Sequence, residues 1–235
     1  MKKIIATVGL LLGMQVPGAD VKPLVRQLME VRDELDGVSF SDVVEANTGK
    51  KLLALNLRSS TDRRLIAQIS EALTRVMKRV ADPDHEAHKQ RRINEVSKYF
   101  EETLLEELNE LDGFRCEFPK TSEGRMQRSG YPDLRLVDAK SGRVVYLDPK
   151  LFQAKSRNSS LRTFYFTPKI ETNKILDDAH HLLVGFSHEG RQDGAWKFTG
   201  WELVDLARFK VRLKAEFQGS NREIYQDENI VASGR

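Results

Sequence analysis

The chain combines stretches in which apolar residues recur every three or four positions with stretches in which every second residue is apolar. The first pattern predicts helices in residues 21–35, 61–80 and 91–111. The second pattern, together with one short continuous apolar run, predicts strands in residues 114–118, 131–137, 143–152, 181–186 and 196–204. The sequence therefore predicts an α/β protein.

Two of the predicted strands form a hairpin that contains most of the candidate chemistry. They are joined by a tight turn at residues 140–142. Alternation places Asp148 and Lys150 on one face of the second strand, and Asp133 lies near the start of the first. Carboxylates and an ammonium this close together are costly unless they act together, for example by holding a divalent cation beside a phosphate. The alternative is an ordinary surface Asp–Lys pair, which contributes little to stability.

The hairpin resembles the metal-binding motif of the PD-(D/E)xK phosphodiesterase superfamily, which has the restriction-endonuclease-like fold. Pro132-Asp133 is followed, after fourteen intervening residues, by Asp148-Pro149-Lys150. The resemblance covers residues 92–206 and implies a central mixed sheet flanked by helices. It also implies that Asp133 and Asp148 bind Mg²⁺, with Mn²⁺ as a substitute, and that Lys150 orients the attacking water or stabilises developing charge. The implied substrate is DNA, expected to be double-stranded.

The motif departs from a regular strand at Pro149. Proline has no N–H to donate to a sheet, so it is unusual in a central strand. We expect Pro149 to mark a bulge that aims Lys150 at the site. The alternative is a distorted strand with an impaired site, in which case the protein would be a catalytically inactive nuclease fold that binds DNA.

The helix predicted in residues 91–111 supplies a third carboxylate. In the superfamily, a helix beside the sheet commonly contributes a glutamate to the metal site. The resemblance assigns this role to Glu101, acting through water or a second ion. Glu107, which lies nearer the centre of the apolar stripe, is the second candidate. Either residue could instead lie at the edge of the helix and pair with lysine or arginine.

A basic and polar segment follows the second strand of the hairpin. Lys155, Arg157 and Arg162 stand among serine and asparagine residues, an arrangement that suits contacts with DNA phosphates. The alternative is a solvated loop. Bulk charge does not decide between them, because the formal net charge of +3 is too small to attract DNA by itself.

The N-terminus predicts export. Lys2 and Lys3 precede an uncharged run and then small residues, which is the plan of a secretory signal peptide over residues 1–19. The run is too short to span a bilayer comfortably, so no stable membrane anchor is predicted. We expect a bacterial protein in the periplasm or outside the cell. The alternative is a cytoplasmic protein whose N-terminus is a buried element.

The remaining chain divides into three predicted regions. Residues 20–84 form a helical N-terminal subdomain, residues 85–226 the restriction-endonuclease-like catalytic domain, and residues 227–235 a flexible tail. The single cysteine, Cys116, excludes an internal disulfide. Three histidines lack convincing metal-ligand spacing and are interpreted as structural: His180, His181 and His188.

These features favour an exported, Mg²⁺-dependent deoxyribonuclease. A cytosolic type II restriction or repair endonuclease is the first alternative, and it requires the N-terminus to be something other than a signal peptide. The inactive DNA-binding module described above is the second. Sequence specificity and oligomeric state stay open at this stage.

Overall fold

The computed structural model describes residues 20–160 and 163–234. The predicted signal peptide therefore lies outside the described residues, as does Arg162. The chain divides into two compact units. One runs Val38–Val211, and the other combines the residues up to Gly37 with those from Arg212 onward. The helices are α1 (Lys22–Glu34), α2 (Phe40–Thr48), α3 (Ser60–Val80), α4 (Ile93–Asn109) and α5 (Asn221–Ile224).

The larger unit is built on a five-stranded mixed sheet. The strands of the chain are β1 (Val38–Ser39), β2 (Phe114–Glu117), β3 (Leu134–Asp138), β4 (Arg143–Gln153), β5 (His180–Gln192), β6 (Ala195–Asp205) and β7 (Lys210–Val211). The sheet has the order β2-β3-β4-β5-β6, in which β4 and β5 are parallel and the other neighbours are antiparallel. β1 and β7 form a separate antiparallel pair. The predicted α/β class and mixed sheet are thus confirmed.

Helices α3 and α4 cover one face of this sheet because each has one continuous apolar stripe. The stripe of α4 includes Phe100 and Leu104, which pack with α3 against alternate strand residues such as Leu136, Leu147 and Val184. Removing these side chains from water is the main stabilising term of the unit. The packing also fixes α4 beside β3 and β4, where the candidate carboxylates lie.

The opposite face carries a smaller cluster centred on Phe40 of α2 and Tyr146 of β4. The Tyr146 hydroxyl is also a polar anchor for the chain that crosses from β4 to β5. It accepts a hydrogen bond from the Leu176 N–H at 2.9 Å and donates one to Asp177 Oδ2 at 2.8 Å. Arg135 donates two hydrogen bonds to the same carboxylate, of 2.8 and 3.0 Å. The crossover is therefore attached to the two strands of the hairpin.

The smaller unit contains α1 and the C-terminal segment. No residue of α1 is buried, and several of its apolar residues are exposed, including Leu24 and Met29. The Leu213 N–H donates to the carbonyl of Leu35 at 3.0 Å, which joins the two parts of the unit. Among the residues that the structure describes, no helix has the length and apolar character needed to cross a membrane.

Two expectations about the scaffold change. The predicted helical subdomain of residues 20–84 is not confirmed, because α2 and α3 pack into the larger unit while α1 belongs to the smaller one. The predicted bulge at Pro149 is wrong, since β4 pairs with β5 without a register shift and Pro149 lies opposite Val184. β3 pairs with β4 only as far as Leu134 and Leu147, so the missing N–H of Pro149 interrupts no β3–β4 ladder.

Candidate active site

The start of β3 and the middle of β4 bring two carboxylates and an ammonium together. Lys150 Nζ lies 2.9 Å from Asp148 Oδ1 and 3.2 Å from Asp133 Oδ2. The register of the hairpin explains this arrangement, because Leu134 pairs with Leu147 and the next residues outward are Asp133 and Asp148. The structure therefore places side by side the three hairpin residues that the sequence analysis selected.

Asp148 is the most unusual member of the group. The residue is 2% exposed, and its Oδ2 has no hydrogen-bond partner among the described residues. Burial, followed by the charge of Asp133, raises the pKa of Asp148 to about 7, while Lys150 opposes the shift. Burial acts to lower the pKa of Lys150, but Asp148 and Asp133 outweigh it and raise that pKa. The ammonium therefore stays charged between two carboxylates.

The carboxylate pair fits a hard divalent cation such as Mg²⁺. This ion uses one or two protein carboxylates and keeps several of its waters. The unpartnered oxygen of Asp148 offers one acceptor, and Asp133, whose side chain is 15% exposed, offers another at the solvent edge. Within residues 20–160 and 163–234, no group of three or more His, Cys, Asp or Glu side chains is arranged to hold a metal. The candidate ligands are thus a pair of aspartates.

Glu101 borders this pair without joining it in a three-ligand group. It lies on α4, is half-buried, and forms an ion pair of 3.2 Å with Arg128. Burial and the negative charge of Asp133 raise the pKa of Glu101, and Arg128 opposes them. The charge of Asp133 therefore acts on Glu101, while the ion-pair partner of Glu101 is Arg128. A role through water or a second ion stays a prediction.

Glu107, the second candidate, lies on α4 and pairs with two arginines of α3. It is buried, Arg79 Nη1 donates to its Oε1 at 2.8 Å, and Arg75 donates to its Oε2. Burial alone would raise the pKa of Glu107, but the two arginines of α3 hold it below its usual value. The residue therefore joins α3 to α4, and we assign it no role at the hairpin.

The residues around Asp133 are held by a buried aromatic contact. Tyr131 Oη lies 2.7 Å from Nδ1 of His181, and the two rings stack with centroids 5.8 Å apart. Burial lowers the pKa of His181 to about 3, so the ring is neutral. Its Nδ1 can therefore accept a hydrogen bond from the Tyr131 hydroxyl. His180 similarly bonds the backbone of Leu53 at 2.8 Å. These contacts agree with a structural interpretation of the histidines.

An open cleft of about 420 Å³ is lined by Lys150 and by neighbouring residues of β4, β5 and β6. Its floor includes Phe152, which lies over Gly185. A Cβ at Gly185 would be 3.0 Å from the Phe152 ring, so a larger residue here would require the ring to shift. The cleft therefore provides open space next to Lys150.

The predicted phosphate-contacting residues lie beside this cleft to different degrees. Arg157 lines it and makes two hydrogen bonds of 3.0 and 3.1 Å to the carboxylate of Glu202 on β6. Lys155 is exposed in the short helical turn Ala154–Ser156 that follows β4. Arg162 lies outside the described residues. Contact with DNA phosphates therefore stays a prediction for all three.

Comparisons with known proteins identify the family to which the chain belongs. The model of the MjaV type II restriction enzyme family matches residues 34–228. The chain is also 32% identical over 224 residues to the type II restriction enzyme MjaV of Methanocaldococcus jannaschii, and the match covers 90% of this chain and 94% of that protein. The chain belongs to the MjaV type II restriction enzyme family. The matched region contains both strands of the hairpin and the whole of α4.

Two residues near the site escaped the sequence analysis. Arg128 pairs with Glu101 and with Glu102 at 2.8 Å, and its guanidinium lies 4.3 Å from the Phe118 ring centroid. Lys174 is buried, and the charges of Asp133 and Asp148 act on its pKa. Both lie in irregular segments, where no periodicity predicts the direction of a side chain.

Proposed function

We propose that this protein is a Mg²⁺-dependent type II restriction endonuclease of the PD-(D/E)xK superfamily that cleaves double-stranded DNA. The observation that carries the proposal is the buried, unpartnered oxygen of Asp148 beside Asp133 and Lys150. Family membership supports it, since the similar archaeal protein is named as a type II restriction enzyme. The five-stranded mixed sheet is compatible with the fold of that superfamily.

The site residues have different roles in the proposed hydrolysis. Asp133 and Asp148 would hold Mg²⁺, which when bound neutralises phosphate charge and lowers the pKa of a water molecule. Lys150 is held by both carboxylates, so it is oriented before the substrate arrives. Its ammonium donates hydrogen bonds to the phosphate as negative charge develops there. Glu101 borders the ligand pair and is itself paired with Arg128.

The comparisons favour the restriction endonuclease alternative over the exported nuclease. The similar protein carries the name of a restriction enzyme, and nothing in the comparisons supports export. The signal peptide and the cellular location stay predictions about residues 1–19. The inactive-module alternative loses its physical motivation, because β4 continues in register through Pro149 and both hairpin carboxylates contact Lys150.

The test is incubation of the purified protein with plasmid and with linear double-stranded DNA, with and without Mg²⁺. A restriction endonuclease yields discrete fragments of reproducible size in Mg²⁺ and no product in a chelator. A ladder shortening from the ends would instead indicate an exonuclease. A single-stranded oligonucleotide of the same sequence, assayed in parallel, shows whether duplex DNA is required.

A matched pair of variants guards against contaminating nucleases. Asp148→Asn should lose cleavage, whereas Asp84→Asn, an exposed aspartate in the loop before α4, should cleave like the parent. Cleavage that persists in Asp148→Asn would place the activity elsewhere. Absence of cleavage by the parent in both Mg²⁺ and Mn²⁺, over a broad set of DNA sequences, would overturn the proposal.

A further inference from the structure

Lys174 is a second lysine at the hairpin site, and it is buried. The residue is 2% exposed, which is rare for a lysine because its ammonium loses hydration. Its Nζ donates to the backbone carbonyl of Gln127 at 3.3 Å. This is the hydrogen bond that its ammonium makes to the described residues. An ammonium has three donors, so Lys174 can bond further to a ligand.

The surrounding chain fixes where Lys174 points. Asn173 bonds the N–H of Ile175 through its side-chain oxygen at 3.0 Å, which braces the backbone on both sides of Lys174. The Ser122 N–H donates to the carbonyl of Asn173 at 2.8 Å, and the Leu176 N–H donates to the Tyr146 hydroxyl. The lysine is therefore held by packing and hydrogen bonds, as a preorganised side chain must be.

The charges that Lys174 faces are those of the candidate metal site. Burial lowers the pKa of Lys174, and Lys150 adds to this effect. Asp133, Asp148 and Glu101 act in the opposite direction. Lys174 therefore lies within electrostatic reach of the same carboxylates that Lys150 contacts.

A small cavity gives Lys174 room for a ligand. The cavity measures about 100 Å³, space for roughly three waters. Lys174 lines it together with Gln127, Tyr131 and Thr172. The cavity thus has polar groups in its lining, and one lining residue, Tyr131, stands two residues before Asp133 in the chain. The ammonium in this lining can donate a hydrogen bond to an anion such as a phosphate oxygen.

We propose that Lys174 is a second catalytic lysine, whose ammonium contacts the DNA phosphate that undergoes cleavage. The inference rests on the proposed nuclease function and adds to it a residue from outside the hairpin motif. Lys150 and Lys174 then donate to the phosphate from different chain segments, β4 and the crossover to β5. The competing explanation is a structural counter-ion that only balances the acidic cluster. The two differ in what removal of the ammonium does to the chemical step.

The experiment compares Lys174→Met and Lys174→Arg with the parent and with Lys120→Met, which removes an exposed lysine. Methionine keeps the length of the side chain and removes its charge. Single-turnover cleavage in Mg²⁺ measures the chemical step, and DNA binding in Ca²⁺ measures affinity. Calorimetric titration with Mn²⁺ in the absence of DNA measures the metal site. Thermal unfolding reports on the fold.

A catalytic role predicts a loss of about 10²-fold or more in the single-turnover rate of Lys174→Met, with DNA affinity within a few-fold of the parent. Its Mn²⁺ affinity should be unchanged or higher, since a cation near the carboxylates has been removed. Lys174→Arg should recover part of the rate, and Lys120→Met should match the parent.

Cleavage by Lys174→Met at the parental rate would overturn the inference while leaving the nuclease function intact. If Lys174→Met does not fold, Lys174→Arg decides the question, because a folded arginine variant with no recovery above background cleavage would also overturn it. If the parent protein cleaves no DNA, the proposed function fails and this inference fails with it. A loss of rate accompanied by an equal loss of Mn²⁺ affinity would show that Lys174 only maintains the shape of the metal site, and would overturn the inference.

Discussion

Two buried aspartates of one hairpin have opposite environments. Asp138, at the end of β3, is fully buried and accepts hydrogen bonds from Arg64, from Ser141 and from the Lys140 N–H at 3.1 Å. Burial would raise the pKa of Asp138, but the bonds from Ser141 and Arg64 hold it below its usual value. Asp148 is as deeply buried, yet one of its oxygens has no partner among the described residues, and its pKa is raised.

The difference separates a structural carboxylate from one available for chemistry. Both side chains are almost fully excluded from solvent, so low exposure alone does not identify a site. What differs is the number of hydrogen-bond donors. Each oxygen of Asp138 has a donor, whereas Asp148 shares a lysine with a second carboxylate. An unsatisfied buried carboxylate is destabilising, so its presence calls for a compensating ligand. A bound divalent cation supplies that compensation at the hairpin.

The largest expected effect follows from Asp148→Asn. The substitution removes a ligand charge with little change in shape, so cleavage should fall by on the order of 10³-fold. Stability should be unchanged or slightly higher, because repulsion between Asp148 and Asp133 disappears. Single-turnover assays and thermal unfolding of the metal-free protein measure the two quantities. A strongly destabilised variant would mean that Asp148, like Asp138, is a structural residue.

The converse substitution, Asp138→Ala, should act on stability alone. It removes the acceptor for Arg64, Ser141 and the Lys140 N–H, and leaves donors without partners. We expect a loss of about 2–3 kcal/mol in the free energy of unfolding, measured by denaturant titration. The cleavage rate of the folded fraction, assayed well below the unfolding midpoint, should stay within a few-fold of the parent. A thousand-fold loss there would erase the distinction between the two aspartates.

The two residues should also respond differently to pH. The folded-state pKa of Asp148, about 7, lies above the value of about 3.9 expected in the unfolded chain. Ionised Asp148 therefore costs stability at pH 8, and the cost is relieved as the pH falls through 7. Asp138 has the lowered pKa, so its contribution is present above about pH 4 and is lost below it.

Between pH 8 and pH 5 we therefore expect the metal-free parent to gain about 2–3 kcal/mol of stability relative to Asp148→Asn. Denaturant titrations of both proteins at the two pH values give this difference. Saturating Mg²⁺ should remove it, because a bound cation keeps Asp148 ionised. A difference of zero without metal would show that the environment of Asp148 does not disfavour its charge.

The smallest expected effect concerns Arg157, an exposed arginine that pairs with a carboxylate. Arg157 pairs with Glu202 in solvent at the edge of the cleft. Arg157→Ala should leave the unfolding midpoint unchanged, since exposed pairs contribute little. In Ca²⁺, with an Asp148→Asn background, it should lower the salt dependence of DNA binding by about one unit for one lost phosphate contact. An unchanged slope would remove Arg157 from the DNA interface. Lys155→Ala, tested alongside, extends the comparison to the neighbouring exposed cation.

Regular patterns made the hairpin and its helix predictable from the sequence. Period-two alternation placed Asp148 and Lys150 on one face, and the short turn placed Asp133 opposite, because strand geometry leaves little freedom. The apolar stripe likewise located α4 at Ile93–Asn109, close to the predicted residues 91–111. These features depend on neighbours in the chain, which a single sequence contains.

Features set by distant partners were not predictable. Nothing near Glu107 indicates that Arg75 and Arg79 will reach it from another helix, some thirty residues earlier in the chain. Burial of Lys174 likewise depends on how an irregular crossover packs over the sheet, and no periodicity applies there. The bulge assigned to Pro149 was wrong because the extent of β3, which sets how far β4 has a neighbour on that side, could not be judged from residues near Pro149.

The Tyr146 hydroxyl has a consequence for local unfolding. The amides of Leu176 and Asp177 belong to no helix or strand, yet both donate to a side chain whose ring is in the core and whose backbone is in β4. Their hydrogen exchange should therefore require β4 to open, and it should be as slow as that of the strand itself. Tyr146→Phe would keep the ring and release the amides, so exchange at Leu176 should accelerate while β4 stays protected. Loop and strand would then be seen to open as separate units.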